Sequence, residues 1–262
     1  MRLDTELVRR GLARSREQAA DLIGAGRVLV AGQAAAKPAT QVGQDAAITV
    51  RDLGGEPDYA SRGGRKLAGA LTAFADLAVA GRRCLDAGAS TGGFTDVLLR
   101  AGAGHVVAVD VGYGQLAWPL RSDPRVTVLD RVNVRQLTPE QVAPAPALVT
   151  ADLSFISLTL VLPALVGCAA PDADFVLLVK PQFEVGKGKV GAGGVVRDQA
   201  LRAETVASVA AAAATAGLGV RGVTASPLPG PAGNVEYFLW LRSGAPPLDA
   251  AALQRAIEEG PQ

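Results

Sequence analysis

The stretch Asp86-Ala87-Gly88-Ala89-Ser90-Thr91-Gly92-Gly93-Phe94 decides how the rest of the chain is read. It follows the run Arg83-Cys84-Leu85 and leads into Phe94, Val97 and Leu98, which share one face of a helix, so the glycines fall on a strand-to-helix turn. Glycines there let backbone N–H groups approach a ligand closely, and the helix N-terminus favours a carboxylate. A dinucleotide loop would need GxGxxG, and Gly88, Ser90, Gly92 and Gly93 leave that fingerprint incomplete. A hydrolase elbow would need GxSxG, which Gly88 to Gly92 matches. Its partner is missing, because the single histidine, His105, opens the next strand at the end away from the turn and precedes any suitable acid.

Outward from the turn, apolar runs alternate with helical segments: RCLDAG at 83–88, HVVAVDV at 105–111, VTVLD at 126–130, ALVTADL at 147–153 and ADFVLLVK at 173–180. Such alternation predicts an α/β domain with a parallel, doubly wound sheet. Asp110, Asp130 and Asp152 end three of these strands, which sets them along the crevice outside the carboxyl ends. With the glycine turn, this favours an S-adenosylmethionine site. Asp86, Gly88, Ser90, Gly92, Gly93 and Phe94 would form the turn, Asp110 with Val111 would meet the ribose, Asp130 would lie near the adenine, and Asp152 would complete the set. After an alanine-rich helix over 199–216, the runs GVRGVTASPLPG and NVEYFLWLR are joined by a loop too short for a parallel crossover. The final strand is therefore expected to be antiparallel, as in the seven-stranded, Rossmann-like class I methyltransferase sheet.

Length and composition agree with one main domain and a small module. The 262 residues are 49% hydrophobic but only 4% aromatic, which suits a parallel sheet covered by alanine-rich helices. A net charge of +1 means that any affinity for nucleic acid has to come from a local basic surface. Cys84 and Cys168 lie far apart with no CxxC, so neither a disulfide framework nor a metal site is expected, and a cytoplasmic setting fits. The opening MRLDTELVRR lacks the apolar core of a signal peptide. The uncharged stretch 153–171 approaches the length of a membrane span. Pro163, Ser154 and Ser157 instead divide it into a strand-end loop and a short apolar helix, and no span is expected.

The domain reading assigns 1–50 to a small α+β unit, 51–60 to a linker, 61–243 to the main domain and 244–262 to a C-terminal tail. In the first unit, Leu3, Leu7 and Val8 mark one helix, and Ser15 with Gln18 forms a capping box for a second that runs to about Gly24. Two β segments, RVLVAGQ and DAAITV, come next. RLD at 2–4, ARSR at 13–16, IGAGRVLVAGQ at 23–33 and Lys37 resemble the S4 RNA-binding domain. That resemblance implies RNA backbone binding by Arg2, Arg14, Arg16 and Lys37, where arginines set position without reading sequence. Arg65, and the loop lysines Lys187 and Lys189 in GKGKVGAGG, are further candidates for phosphate contact.

The residues just after the fourth strand narrow the target atom. Amine-directed methyltransferases place an Asn or Asp, two prolines and an aromatic there, whereas this chain has Asp152-Leu153-Ser154-Phe155, and neither cysteine suits attack on a pyrimidine carbon. Oxygen is the leading target. Of the 26 Lys and Arg residues only five are Lys, so Lys180 at a strand end and Lys66 opening a helix stand out. Unlike arginine, lysine can act as a base.

The segments SRGGRKL, CLDAGASTGGFTD, VDVGYGQL, ADLSFISL, LVKPQFEVGKGKVG and SPLPGPAGNVEYFLWL resemble the TlyA family of ribosomal RNA 2′-O-methyltransferases, also called haemolysins, across essentially the whole chain. The resemblance implies an FtsJ-like domain whose Lys-Asp-Lys-Glu catalytic set falls on Lys66, Asp152, Lys180 and Glu236. It also implies S-adenosylmethionine as cofactor and cytidine ribose in 16S, and in some members also 23S, ribosomal RNA as substrate. A monomer acting on ribosomal subunits is expected. The competing functions are an RNA-binding protein without catalysis and a pore-forming haemolysin.

Overall fold

The computed structural model describes residues 1–13, 16–43, 45–51, 59–186, 188, 190–230 and 232–261, with the side chains of Glu17 and Ala192 also left undescribed. Arg14, Ser15, Lys187, Lys189 and most of the expected linker thus lie outside the described residues. The chain divides into two units, Met1–Asp58 and Tyr59–Gln262.

The first unit contains α1 (Leu3–Arg9), α2 (Arg16–Gly24), β1 (Val28–Val30), β2 (Gln33–Ala34) and β3 (Ile48–Val50). The strands form an antiparallel sheet in the order β2-β1-β3. Leu3 and Leu7 of α1 meet Ala19, Leu22 and Ile23 of α2 and Val28 of β1 in a small core. Two acids are buried with this core. Asp4 accepts from Arg2 Nη2 at 2.9 Å and from Arg16 Nη2 at 3.2 Å. Glu6 accepts from Arg9 Nε at 2.8 Å and from Arg10 Nε at 2.7 Å. The Arg2 and Arg16 guanidinium groups outweigh burial and hold the Asp4 carboxyl well below the usual range. Part of the basic surface expected from the sequence is therefore built on buried acids of the same unit.

The second unit runs α3 (Arg62–Ala73), β4 (Arg83–Ala87), α4 (Gly93–Arg100), β5 (His105–Asp110), α5 (Trp118–Arg121), β6 (Val126–Asp130), α6 (Pro139–Val142), β7 (Leu148–Ala151), α7 (Leu162–Cys168), β8 (Asp174–Val179), α8 (Pro181–Glu184), α9 (Gln199–Thr215), β9 (Leu218–Ala225), β10 (Tyr237–Ser243) and α10 (Ala250–Glu259). Its seven strands lie in the order β6-β5-β4-β7-β8-β10-β9. β4 pairs in parallel with both β5 and β7, so chain direction across the sheet reverses between β4 and β7, where a crevice opens beyond the strand ends. β10 is antiparallel to both β8 and β9, between which it is inserted. The central strands are buried along their length, because helices cover both faces.

Residues 244–262, expected to be a tail, include α10, capped by the Asp249 carboxylate through Ala251 N. Leu253, Ala256 and Ile257, spaced for one helical face, complete the larger core. Tyr59 and Ala60, expected in the linker, belong to the second unit. Arg100 lies over the Tyr59 ring, and Ala60 N donates to Asp96 Oδ2 at 2.9 Å. In the uncharged stretch 153–171, Leu158, Leu162 and Leu165 are core residues, and α7 has seven residues. Among the described residues no helix is long and apolar enough to cross a membrane.

Candidate active site

The glycine-rich segment is a tight turn between β4 and α4. Gly88 N and Ala89 N both donate to Val109 O, at 2.8 and 3.1 Å, which folds the turn back over the end of β5. Gly88 has φ +86°, and a Cβ there would lie 2.6 Å from the Asp152 carbonyl oxygen. Only glycine fits. Gly92, at φ +98°, is crowded by Leu116, whose Cδ1 would lie 2.8 Å from an added Cβ. Ser90 has φ +46° and directs its N–H to Asp110 Oδ2 at 2.8 Å, while Gly112 N donates to Asp110 Oδ1 at 2.7 Å. Asp110 thus reaches the crevice already oriented by two backbone donors, with exposed Val111 beside it. Asp130 pairs with Arg121 Nη1 at 2.9 Å.

Two members of the expected cofactor set also pack the fold. The Phe94 side chain is 3% exposed and packs against Phe238, centroids 6.0 Å apart, so only its backbone faces the turn. A Cβ on Gly93 would stand 2.7 Å from Gly64 N, so this glycine serves the close approach of α3 to α4. Gly64 shows the reciprocal crowding, 3.1 Å from Gly93 O. This helix-to-helix contact was not legible in the turn by itself, but the GG pair of SRGGRKL was its signal.

Asp86 lies fully buried under the turn. Thr95 Oγ1 donates to its Oδ2 at 2.7 Å, while Oδ1 is buried without a hydrogen-bond partner. Burial, with the Asp152 and Asp110 charges adding to it, raises this carboxyl from 3.8 to about 7 against the opposing Thr95 bonds. The folded chain therefore keeps a proton that the unfolded chain releases near 3.8, and the site's contribution to stability falls as pH rises towards 7. Asp86→Asn cannot ionise. Its melting temperature relative to the parent is expected to rise between about pH 4 and about pH 8. A difference that stays constant with pH would contradict this.

The four expected catalytic residues lie at the carboxyl ends of β7 and β8, the start of β10 and the first turns of α3. Lys180 follows β8 and Glu236 precedes β10, each one residue beyond the cross-strand pair Val179 and Tyr237. Lys66 Nζ donates to Glu236 Oε2 at 2.6 Å, and both side chains are buried. Lys180 Nζ meets Asp152 Oδ1 at 2.5 Å and donates to Ser154 Oγ at 2.9 Å. A Cβ at Gly63 would lie 3.5 Å from Asp152 Oδ2, so the first turn of α3 closes the gap between the two ion pairs. Gln182 Nε2 reaches Glu236 Oε1 at 3.5 Å. The sequence gives neither Ser154 nor Gln182 a place in the catalytic set, although both lie in the quoted segments ADLSFISL and LVKPQFE.

Phe155 is another residue that the sequence alone does not mark for a role. It has φ +66° and is 91% exposed, beside Phe183 with centroids 5.1 Å apart. Of the residues expected at RNA, Arg2 and Arg16 pair with Asp4, and Lys37 and Arg65 are exposed.

Ser90 has no histidine partner. His105 Nε2 lies 2.9 Å from Thr127 Oγ1, and His105 is level with Arg83 at the far end of β4, which removes the hydrolase reading.

Residues 59–243 match the model of the FtsJ-like methyltransferases, and residues 1–48 match the S4 domain. The 16S/23S rRNA (cytidine-2′-O)-methyltransferase TlyA of Mycobacterium tuberculosis is 64% identical, over 99% of this chain and 98% of its own length. The chain belongs to the TlyA family of FtsJ-like methyltransferases. Another relative, Hemolysin A of Brachyspira hyodysenteriae, is 37% identical over 91% of this chain and 98% of its own. Among solved structures, a Streptococcus thermophilus protein that carries the hemolysin name superposes with a TM-score of 0.79 at 37% identity, covering 99% of this chain and 94% of its own. The TlyA-family frame accounts for the seven-stranded sheet with β10 inserted and for the crevice at its centre.

Proposed function

We propose that this protein transfers the methyl group of S-adenosylmethionine to the 2′-oxygen of a cytidine ribose in ribosomal RNA, as a monomeric cytoplasmic enzyme. The observation that carries this reading is the convergence of the Lys66–Glu236 and Lys180–Asp152 pairs beside the glycine turn. The cofactor assignment is supported by the crevice itself. Gly88 lets the turn close against the Asp152 backbone, α4 begins at that turn with first N–H groups that have no carbonyl partner within the helix, and Asp86 Oδ1 is a buried acceptor without a partner. These suit the carboxylate and ammonium of the cofactor's methionine portion, and the Asp110 carboxylate suits ribose hydroxyls. When bound, the cofactor supplies an electrophilic methyl group.

The chain's own residues supply the base and the positioning. Lys180, having first released its own ammonium proton to solvent, takes up the proton of the 2′-hydroxyl on its neutral Nζ as the oxygen attacks, with Asp152 and Ser154 fixing the amine. Lys66 and Glu236 form the neighbouring wall, and Gln182 holds Glu236 from the other side. Alignment of the hydroxyl accounts for much of the rate. Phe155 presents an exposed ring next to Lys180's partner Ser154, where an unstacked base could lie on it. The S4 unit, with Arg2, Arg14, Arg16 and Lys37, would bind RNA backbone, and Arg65, Lys187 and Lys189 would add phosphate contacts on the methyltransferase unit.

The expected result with methyl-labelled S-adenosylmethionine is transfer to ribosomal RNA presented in small subunits, with large subunits as a second arm that settles whether 23S RNA is also a substrate. Absence of label from both subunits and from their naked RNA would refute the enzymatic reading and leave the RNA-binding one. The pore-forming alternative draws no support from the stretch 153–171, whose Leu158, Val161, Leu162, Leu165 and Cys168 are core residues of the methyltransferase unit.

A further inference from the structure

We propose that Glu184 is a positioning residue that latches the loop after β7 to α8 and so holds the Phe155 ring in place for the target base. Its Oε2 accepts from Ser157 Oγ at 2.5 Å and its Oε1 accepts from Leu158 N at 2.8 Å. Both carboxylate oxygens are thus committed to one loop. Nothing in the Lys-Asp-Lys-Glu chemistry requires this carboxylate, and burial raises its pKa above that of an ordinary glutamate. A solvated surface acid would show neither feature.

The loop is tied on both sides of Phe155. Ser154, one residue before it, accepts from Lys180 Nζ at 2.9 Å, and Ser157, two residues after it, donates to Glu184. Between these ties Phe155 adopts φ +66°, a region that disfavours a bulky side chain. Such a conformation is unfavourable for phenylalanine and persists only where the surroundings over-determine it. What it achieves is an aromatic ring left 91% exposed one residue beyond Lys180's partner Ser154, tilted at 47° to Phe183. Phe183 and Glu184 are adjacent on α8, so one short helix carries both the ring that props Phe155 and the carboxylate that fixes its loop. Lys180 caps that same helix, which puts the base and the platform on one support.

This inference rests on the reading of Phe155 as a platform for the target base, and a double-mutant cycle separates the two. Steady-state methyl transfer to ribosomal subunits and calorimetric binding of S-adenosylmethionine would be measured for the full chain, Glu184→Ala, Glu184→Gln, Phe155→Ala and Glu184→Ala/Phe155→Ala. Glu184→Ala is expected to lower kcat/KM for RNA by about tenfold with cofactor affinity kept within about twofold. Glu184→Gln retains an acceptor for Leu158 N–H and recovers most of the activity. On the Phe155→Ala background the Glu184→Ala loss shrinks to under about twofold. A Phe155→Ala variant with impaired transfer but an unchanged Glu184→Ala penalty on that background overturns the latch and leaves the platform standing. Unimpaired transfer by Phe155→Ala overturns both. A fall in cofactor affinity equal to the fall in kcat/KM marks Glu184 as merely structural. Should Glu184→Ala fail to fold, Ser157→Ala removes a single hydroxyl from the same contact, and its smaller loss must likewise vanish on the Phe155→Ala background.

Discussion

Lys180→Ala is expected to slow methyl transfer by about 10²- to 10⁴-fold, the range that a positioned general base contributes. Cofactor affinity should stay within about threefold, because the turn and Asp110 carry that binding. Lys180 is 8% exposed and held by Asp152 and Ser154, so its amine occupies a defined place at the crevice, unlike a mobile surface lysine. The Asp152 Oδ1 that loses its cation is buried, so Lys180→Ala also costs stability, and the rate is compared per folded enzyme. Lys180→Arg is the sharper variant. It preserves the charge and the pairing with Asp152 but cannot give up a proton, so it should be nearly as inactive as alanine. Single-turnover methylation alongside calorimetry checks both variants, and substantial activity in Lys180→Arg would remove the base role.

Gly88→Ala is expected to weaken S-adenosylmethionine binding by at least about tenfold, which corresponds to about 1.4 kcal/mol. Two causes act together. The backbone at φ +86° disfavours alanine by about 1–3 kcal/mol. The new methyl would also press on the Asp152 carbonyl oxygen from 2.6 Å, displacing the turn and a catalytic residue at once. Gly81→Ala is the control. Gly81 has φ +73° with nothing within 4 Å of an added Cβ, and it precedes β4 at the end of the strand away from the turn. It should lose stability through strain alone and bind cofactor normally. Equal effects of the two substitutions on cofactor binding would mean that crowding against Asp152 is irrelevant.

The sheet and the crevice were legible because their physics is local. Buried parallel strands are continuous apolar runs, and the aspartates that end three of them mark the ligand side without any knowledge of packing. The short loop before β10 forced an antiparallel strand. Its insertion between β8 and β9 depends on long-range pairing that no local pattern records. The tail reading of 244–262 failed because α10 is short and alanine-rich, and its three core residues become informative only once β9 and α9 are there to bury them.

The candidate site divides in the same way. Lys66, Asp152, Lys180 and Glu236 could be named from strand ends and from the family resemblance. Which lysine meets which acid is a matter of register, and the structure pairs Lys66 with Glu236 and Lys180 with Asp152. Gly93 and Phe94 looked like cofactor ligands because they share a segment with Gly88. Their neighbours in space, Gly64 and Phe238, show that the same segment also packs α4. The arginines of the first unit looked free because nothing in sequence shows that Asp4 and Glu6 are buried beneath them.

The identity of the methylated nucleoside tests the central claim most directly. After methyl transfer from S-adenosylmethionine, ribosomal RNA would be digested to nucleosides and the labelled product separated and weighed by mass spectrometry. The predicted product is 2′-O-methylcytidine, with the methyl group on the sugar fragment, formed by the parent chain and lost in Lys180→Ala. A methyl group on the base fragment would contradict ribose chemistry in a crevice built around Lys66, Asp152, Lys180 and Glu236.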